Sequence, residues 1–203
     1  MVHNADSSPF GARALGLAVG VGLAVGGATS VGQAALADAA GSLANSAGPW
    51  ALAAFLVARV ARRLPVAIGA AIVTMACSEI GYVLVSRLRD ISSSSSTVLF
   101  WTVAAVLAGV PIGVAAAWTH ASDAWRPSAG AGVVAGVLLG EGLYGLDRLR
   151  ETTSAGYWQL EVAAGMVLVA IVGGRRRTAI GITALLGAAV ANATVVYLVA
   201  TRA

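Results

Sequence analysis

Apolar residues along this chain come in long unbroken runs, without the spacing of three and four that marks a helix lying on a soluble core. The runs fall at roughly 14–36, 49–63, 65–86, 97–119, 128–147, 157–173 and 178–200, separated by short joints of Arg, Asp, Ser and Pro. A hydrocarbon core about 30 Å thick takes about 20 residues of helix, and backbone polar groups inside it are satisfied only in helices or closed barrels. The pattern predicts an all-α, polytopic transmembrane bundle of seven spans, a single domain over residues 1–203. The second run is short and ends among arginines.

A repeat is written over these runs. Aligning the third run with the fifth places Pro65 on Pro127, Glu79 on Glu141 and Tyr82 on Tyr144. Beyond the helix, Arg87-Leu88-Arg89-Asp90 answers Arg148-Leu149-Arg150-Glu151, and Phe100-Trp101 answers Tyr157-Trp158. The seventh run joins more faintly, with Arg177, Thr194, Tyr197 and Arg202 on Arg62, Glu79, Tyr82 and Arg87. The predicted architecture is one leading helix followed by three hairpins of the same orientation, unlike the inverted repeats of many transporters.

Composition fits this reading: 58% of residues are hydrophobic and 11% charged, against roughly 25% charged in a soluble domain. The net charge of +4 comes from thirteen arginines and no lysine, set between the apolar runs. That is a topology signal, and it calls for no nucleic-acid partner. Eight arginines fall on one side and five on the other, where Asp38, Asp90, Asp147 and Glu151 dilute them. The expectation is a cell-membrane protein with its N-terminus in the cytoplasm and its C-terminus outside. The leading run, with Arg13 before it and small residues after it, imitates a signal peptide. Its length and its Gly16, Gly20, Gly22 and Gly26 faces favour a permanent span. The missing lysine excludes Schiff-base chemistry, and the single Cys77 excludes an internal disulfide. No metal or cofactor is expected.

Chemistry is sought among the carboxylates inside the runs, because a charge at the bilayer centre costs about 2.5–3.5 kcal/mol even on lenient scales. Glu79 and Glu141 lie roughly 10–12 Å below the outer boundary by helical rise, and Glu161 enters about one turn from the same side. Spacing of three residues places Tyr82 beside Glu79, Tyr144 beside Glu141 and Trp158 beside Glu161. Trp50 and Trp101 fall at the outer boundary, where an aromatic belt also forms. Desolvation and a neighbouring carboxylate both favour the neutral acid, which is then a proton donor. Glu79 and Glu141 are the expected acids, with Tyr82, Tyr144, Trp50, Trp101, Trp158 and Glu161 lining the site. The polar stretch from Gln33 and the segment Asn45-Ser46-Ala47-Gly48-Pro49-Trp50 form either a lid over it or an ordinary loop.

Seven short helices in about 200 residues, with paired membrane acids among aromatics, resemble the integral-membrane terpene cyclases of meroterpenoid and indole-sesquiterpenoid pathways. The resemblance covers the layout of the whole chain and no motif word for word. It implies an enzyme in which Glu79 and Glu141 protonate an apolar, isoprenoid-like substrate, with no cofactor. The lysine-free composition and the Leu43–Trp50 segment are also similar to small actinobacterial membrane proteins of unknown function. A small-solute or cation transporter, or the substrate-binding subunit of one, is the competing expectation, and a packing subunit the third. The sequence does not specify an oligomeric state.

Overall fold

The computed structural model describes residues 9–123 and 125–175, all helix and connecting turns with no strand among them. Seven α-helices follow in order: α1 Pro9–Ala35, α2 Asp38–Ala44, α3 Gly48–Ala58, α4 Leu64–Leu88, α5 Ser95–Trp118, α6 Arg126–Tyr144 and α7 Ala155–Arg175. A π-helical turn, Gly145–Leu149, extends α6. The expected span at 178–200, with Arg177, Thr194, Tyr197 and Arg202, lies outside the described residues. Five helices, α1, α4, α5, α6 with its π turn, and α7, are long and apolar enough to cross a membrane.

Burial is arranged for lipid as the surrounding solvent. Fully buried positions are mostly small, among them Ala18, Ala54, Ala67, Ala70, Ala115 and Ala135, with Trp158 the large exception among the described residues. Large apolar side chains such as Leu99, Leu107 and Leu160 face outward. In water that exposure would be costly; in a bilayer close approach of small-residue faces is what holds helices together.

The described residues fall into two compact units, one within Met1–Ser30 and Trp50–Ala117, the other within Val31–Pro49 and Trp118–Ala203. In the first, α1 lies directly on α4: a Cβ on Gly22 or Gly26 would collide with the α4 backbone at Thr74 or Ser78, and one on Gly81 with Leu23 of α1. Gly16 and Gly20, on the same predicted faces, meet nothing within 4 Å. Ser30 and Ser86 share a buried hydrogen bond of 2.8 Å, and the Arg89 guanidinium donates to the Ser30 hydroxyl (3.2 Å) and carbonyl. Contacts therefore advance along both helices together, and α1 and α4 run parallel. The α4 helix ends where Asp90 turns left-handed (φ 59°), with Asp90 and Ile91 amides closing on the Arg87 and Ser86 carbonyls. The α5 helix packs antiparallel on α4 through Gly109 and Gly113 and continues unbroken through Pro111.

Parallel neighbours require the chain between them to travel back. The helix expected over 49–63 is α3, which stops at Ala58 after eleven residues, about 16 Å. The α4 helix starts afresh at Leu64, with Arg63 extended ahead of it (φ −97°, ψ 129°) and Pro65, which has no N–H to donate back to an earlier turn, in its first turn. Trp50 starts α3 near the C-terminal halves of both neighbours, donating its indole N–H to Thr29 (2.9 Å) and stacking on Tyr82. From there to Leu64 the chain descends past about 18 residues of α4, roughly 27 Å. The short helix covers part of that distance, and residues 59–63, which leave it in a turn and extend at Arg63, the remainder.

In the second unit α6 and α7 form an antiparallel hairpin, Gly142 against Trp158 and Val162, Gly165 against Leu139 and Ala135. Like α4, α6 opens with proline in its first turn. The aligned segments thus occur once in each unit, α4–α5 in one and α6–α7 in the other. Their exits differ, because the π turn at Gly145 makes room for the Trp158 ring, which a Cβ there would strike.

Candidate functional site

The joint between α2 and α3 is three residues, Asn45, Ser46 and Ala47, and two acids of the second unit close on it. The Glu141 side chain, from the last turns of α6, accepts the Ala47 N–H on Oε1 at 2.5 Å. Helix N-termini leave their first amides unpaired and carry partial positive charge, so Glu141 is seated as the hydrogen-bond acceptor at the start of α3. On α7, Glu161 takes two hydroxyl donors on a single oxygen, Oε1: Ser46 Oγ at 3.2 Å and Tyr157 Oη at 3.1 Å. The Ser46 oxygen in turn accepts the Gly48 N–H at 3.1 Å.

Gly48 is where the two acids meet. A Cβ built there would lie 2.6 Å from Oε1 of Glu161 and 3.1 Å from Oε2 of Glu141. Only the missing side chain allows both carboxyl groups to occupy that space. Glu161 is 6% exposed, and Oε2 of both acids is buried with no hydrogen-bond partner. Among the described residues no arginine pairs with either; the ion pairs are Arg126–Asp123 and Arg148–Asp147, both at exposed positions. Two adjacent buried carboxylates without a cation are unstable as two charges. The arrangement suits two acids sharing one proton, and what it can do chemically is accept and give up that proton.

Surrounding contacts hold the frame. The Ser42 hydroxyl of α2 accepts the Ser154 N–H at 2.8 Å just ahead of α7, and Gln33 donates to the Ala44 carbonyl at 3.2 Å. Trp158, one residue after Tyr157, is fully buried, packed over Gly145 with its indole N–H on Thr153 (2.8 Å). Its surface is used in packing. Tyr144 is partly exposed at the end of α6.

Glu79, Tyr82, Trp50 and Trp101 belong to the first unit. Glu79 is buried at 5% exposure one turn before Tyr82, whose ring lies 6.3 Å from Trp50; Trp50 is 6.4 Å from Trp101. Within the second unit the acid set beside Glu141 is Glu161, expected as a lining residue. Tyr157, Ser46 and the Ala47 amide were not among the expected site residues. Tyr157 was detectable in principle, being one helical turn (i, i+4) before Glu161; a backbone amide is invisible in a side-chain pattern.

No curated protein and no solved structure matches this chain. A protein-family model does match, over residues 6–203, and the chain belongs to that family, a family of unknown function (DUF6518).

Proposed function

We propose that this chain is an integral membrane enzyme in which the Glu141–Glu161 pair is a Brønsted acid toward an apolar, isoprenoid-like substrate, a reaction of terpene-cyclase type. The observation that supports it is the approach of two carboxyl groups over Gly48, Glu161 by Oε1 and Glu141 by Oε2, each acid keeping a buried Oε2 without a partner. A proton leaves the pair for a substrate alkene or epoxide oxygen, a neighbouring double bond closes on the resulting cation, and a proton lost from the ring returns to the carboxylate. The sum is an isomerisation needing no cofactor. A positioned acid of this kind contributes about 10²–10⁴-fold to rate.

In this reading the chain makes seven crossings, with the N-terminus in the cytoplasm and the acid pair in the outward half. Supporting it are the arginine distribution and the descent of residues 50–63 between parallel α1 and α4. The test is to incubate membranes with prenylated indoles and their epoxides, seeking products of unchanged mass and altered retention. Loss of product in Glu141→Gln and Glu161→Gln but not in Glu79→Gln supports the pair; unchanged turnover in the first two rejects it. The occurrence of one similar hairpin in each unit favours a second reading, a small-solute or cation carrier. A carrier would leave the probes unaltered and support uptake driven by a pH gradient in sealed vesicles.

A further inference from the structure

We infer that the acid pair holds one proton and that it resides on Oε2 of Glu161, with Glu141 as its fixed conjugate base; this rests on reading the pair as the protein's acid. The hydrogen bonds are not symmetric. Glu141 receives a backbone amide at the start of α3 on Oε1, and hydrogen bonds to backbone N–H groups favour the charged form of a carboxyl. A helix N-terminus stabilises a negative charge and does nothing for a neutral acid. Glu161 stands differently: both of its donors are neutral hydroxyls, both fall on Oε1, and no backbone amide donates to it. A carbonyl oxygen has two lone pairs and accepts two such bonds, so Oε1 behaves as the C=O of a carboxylic acid.

That assignment leaves Oε2 as the O–H of Glu161, and Oε2 of Glu141 as an open acceptor. These are the two buried oxygens without a partner, so a proton on Oε2 of Glu161 sits on the oxygen that no donor already occupies. The titratable groups facing the pair are the two glutamates and Tyr157, and Tyr157 is already committed as a donor to Oε1. The repeat agrees with the division of roles. Phe100 stands where Tyr157 does, and Ala104 where Glu161 does, so the α4–α5 hairpin carries the counterpart of the base without that of the acid.

The test is infrared spectroscopy of the full chain in lipid, with 13C-labelled glutamate and Glu79→Gln as background so that a third buried carboxyl does not contribute. A single protonated-carboxyl C=O band is expected at neutral pH. Glu161→Gln should remove it, and Glu141→Gln should keep it. Tyr157→Phe, a smaller perturbation should Glu161→Gln not fold, should keep the band and shift it upward by the loss of one donor to the carbonyl. A band that survives Glu161→Gln and disappears in Glu141→Gln places the proton on the other acid and overturns the inference. A band unmoved by Tyr157→Phe overturns it also. Because the measurement needs no substrate, it can fail while the pair still acts as an acid, and it can succeed where the prenyl probes are inert.

Discussion

Gly48→Ala separates a built acid pair from two glutamates that merely share an interior. Gly48 does not have a positive φ, so its backbone accepts alanine. At the start of a helix, alanine is favoured over glycine by up to about 1 kcal/mol. On propensity alone the variant would be the more stable protein. The added Cβ would, however, sit 2.6 Å from Glu161 Oε1 and 3.1 Å from both Glu141 Oε2 and Ser46 Oγ, where heavy atoms in contact settle at about 3.5 Å. Relief requires Glu161 to withdraw by close to 1 Å, against two hydrogen bonds worth about 1 kcal/mol each. Displacing Glu141 from the Ala47 amide adds a further charge-assisted loss. The cost, about 2–3 kcal/mol, exceeds the propensity gain, and the net expectation is a loss of about 1–2 kcal/mol. Reversible denaturant unfolding in micelles measures it, with Gly16→Ala as control, since a Cβ there meets nothing within 4 Å. If Gly48→Ala is as stable as the wild type, or more stable, the packing argument for the pair is refuted.

Other consequences are open to similar checks. Gly26→Val should abolish recovery of folded protein from membranes, because any Cβ at that position strikes the Ser78 carbonyl; wild-type yield and stability would contradict direct packing of α1 on α4. Trp158→Ala should cost about 3–5 kcal/mol in the same unfolding assay, as the ring is fully buried and hydrogen-bonded; a loss below about 1 kcal/mol would mean that it is not a packing residue. On a Cys77→Ala background, Ser92→Cys should react with an impermeant maleimide from outside intact cells and Ser122→Cys only after lysis. The reverse pattern would invert the proposed orientation.

The long helices were legible because lipid imposes one rule on them: an apolar run of sufficient length between charged joints. Two short helices show what that rule omits: α2 falls in the polar stretch expected as a lid or a loop, and α3 is cut short. Its apolar run continued to the arginines, but the helix stops at Ala58, turn bonds follow at Val60 and Ala61, and α4 begins only after the extended Arg63. Of the site, Glu141 was legible as a carboxylate where a carboxylate is costly. Similarity between the third and fifth runs pointed to Glu79, whereas Glu161 comes beside Glu141 within the second unit through the α6–α7 hairpin and the α2–α3 joint. Ser46 and the Ala47 amide act through a joint whose path depends on packing, and Gly48 acts through the space it leaves empty. None of these produces a periodic signal.

A double-mutant cycle on Glu141 and Glu161 tests most directly whether the two acids form one unit. Unfolding free energies of wild type, Glu141→Gln, Glu161→Gln and the double variant would be measured under one set of micelle conditions. Acids sharing a proton over Gly48 should be coupled by about 1–3 kcal/mol, within the range for residues in one hydrogen-bond network. Effects that add to within about 0.3–0.5 kcal/mol, as independent sites do, would contradict the acid pair.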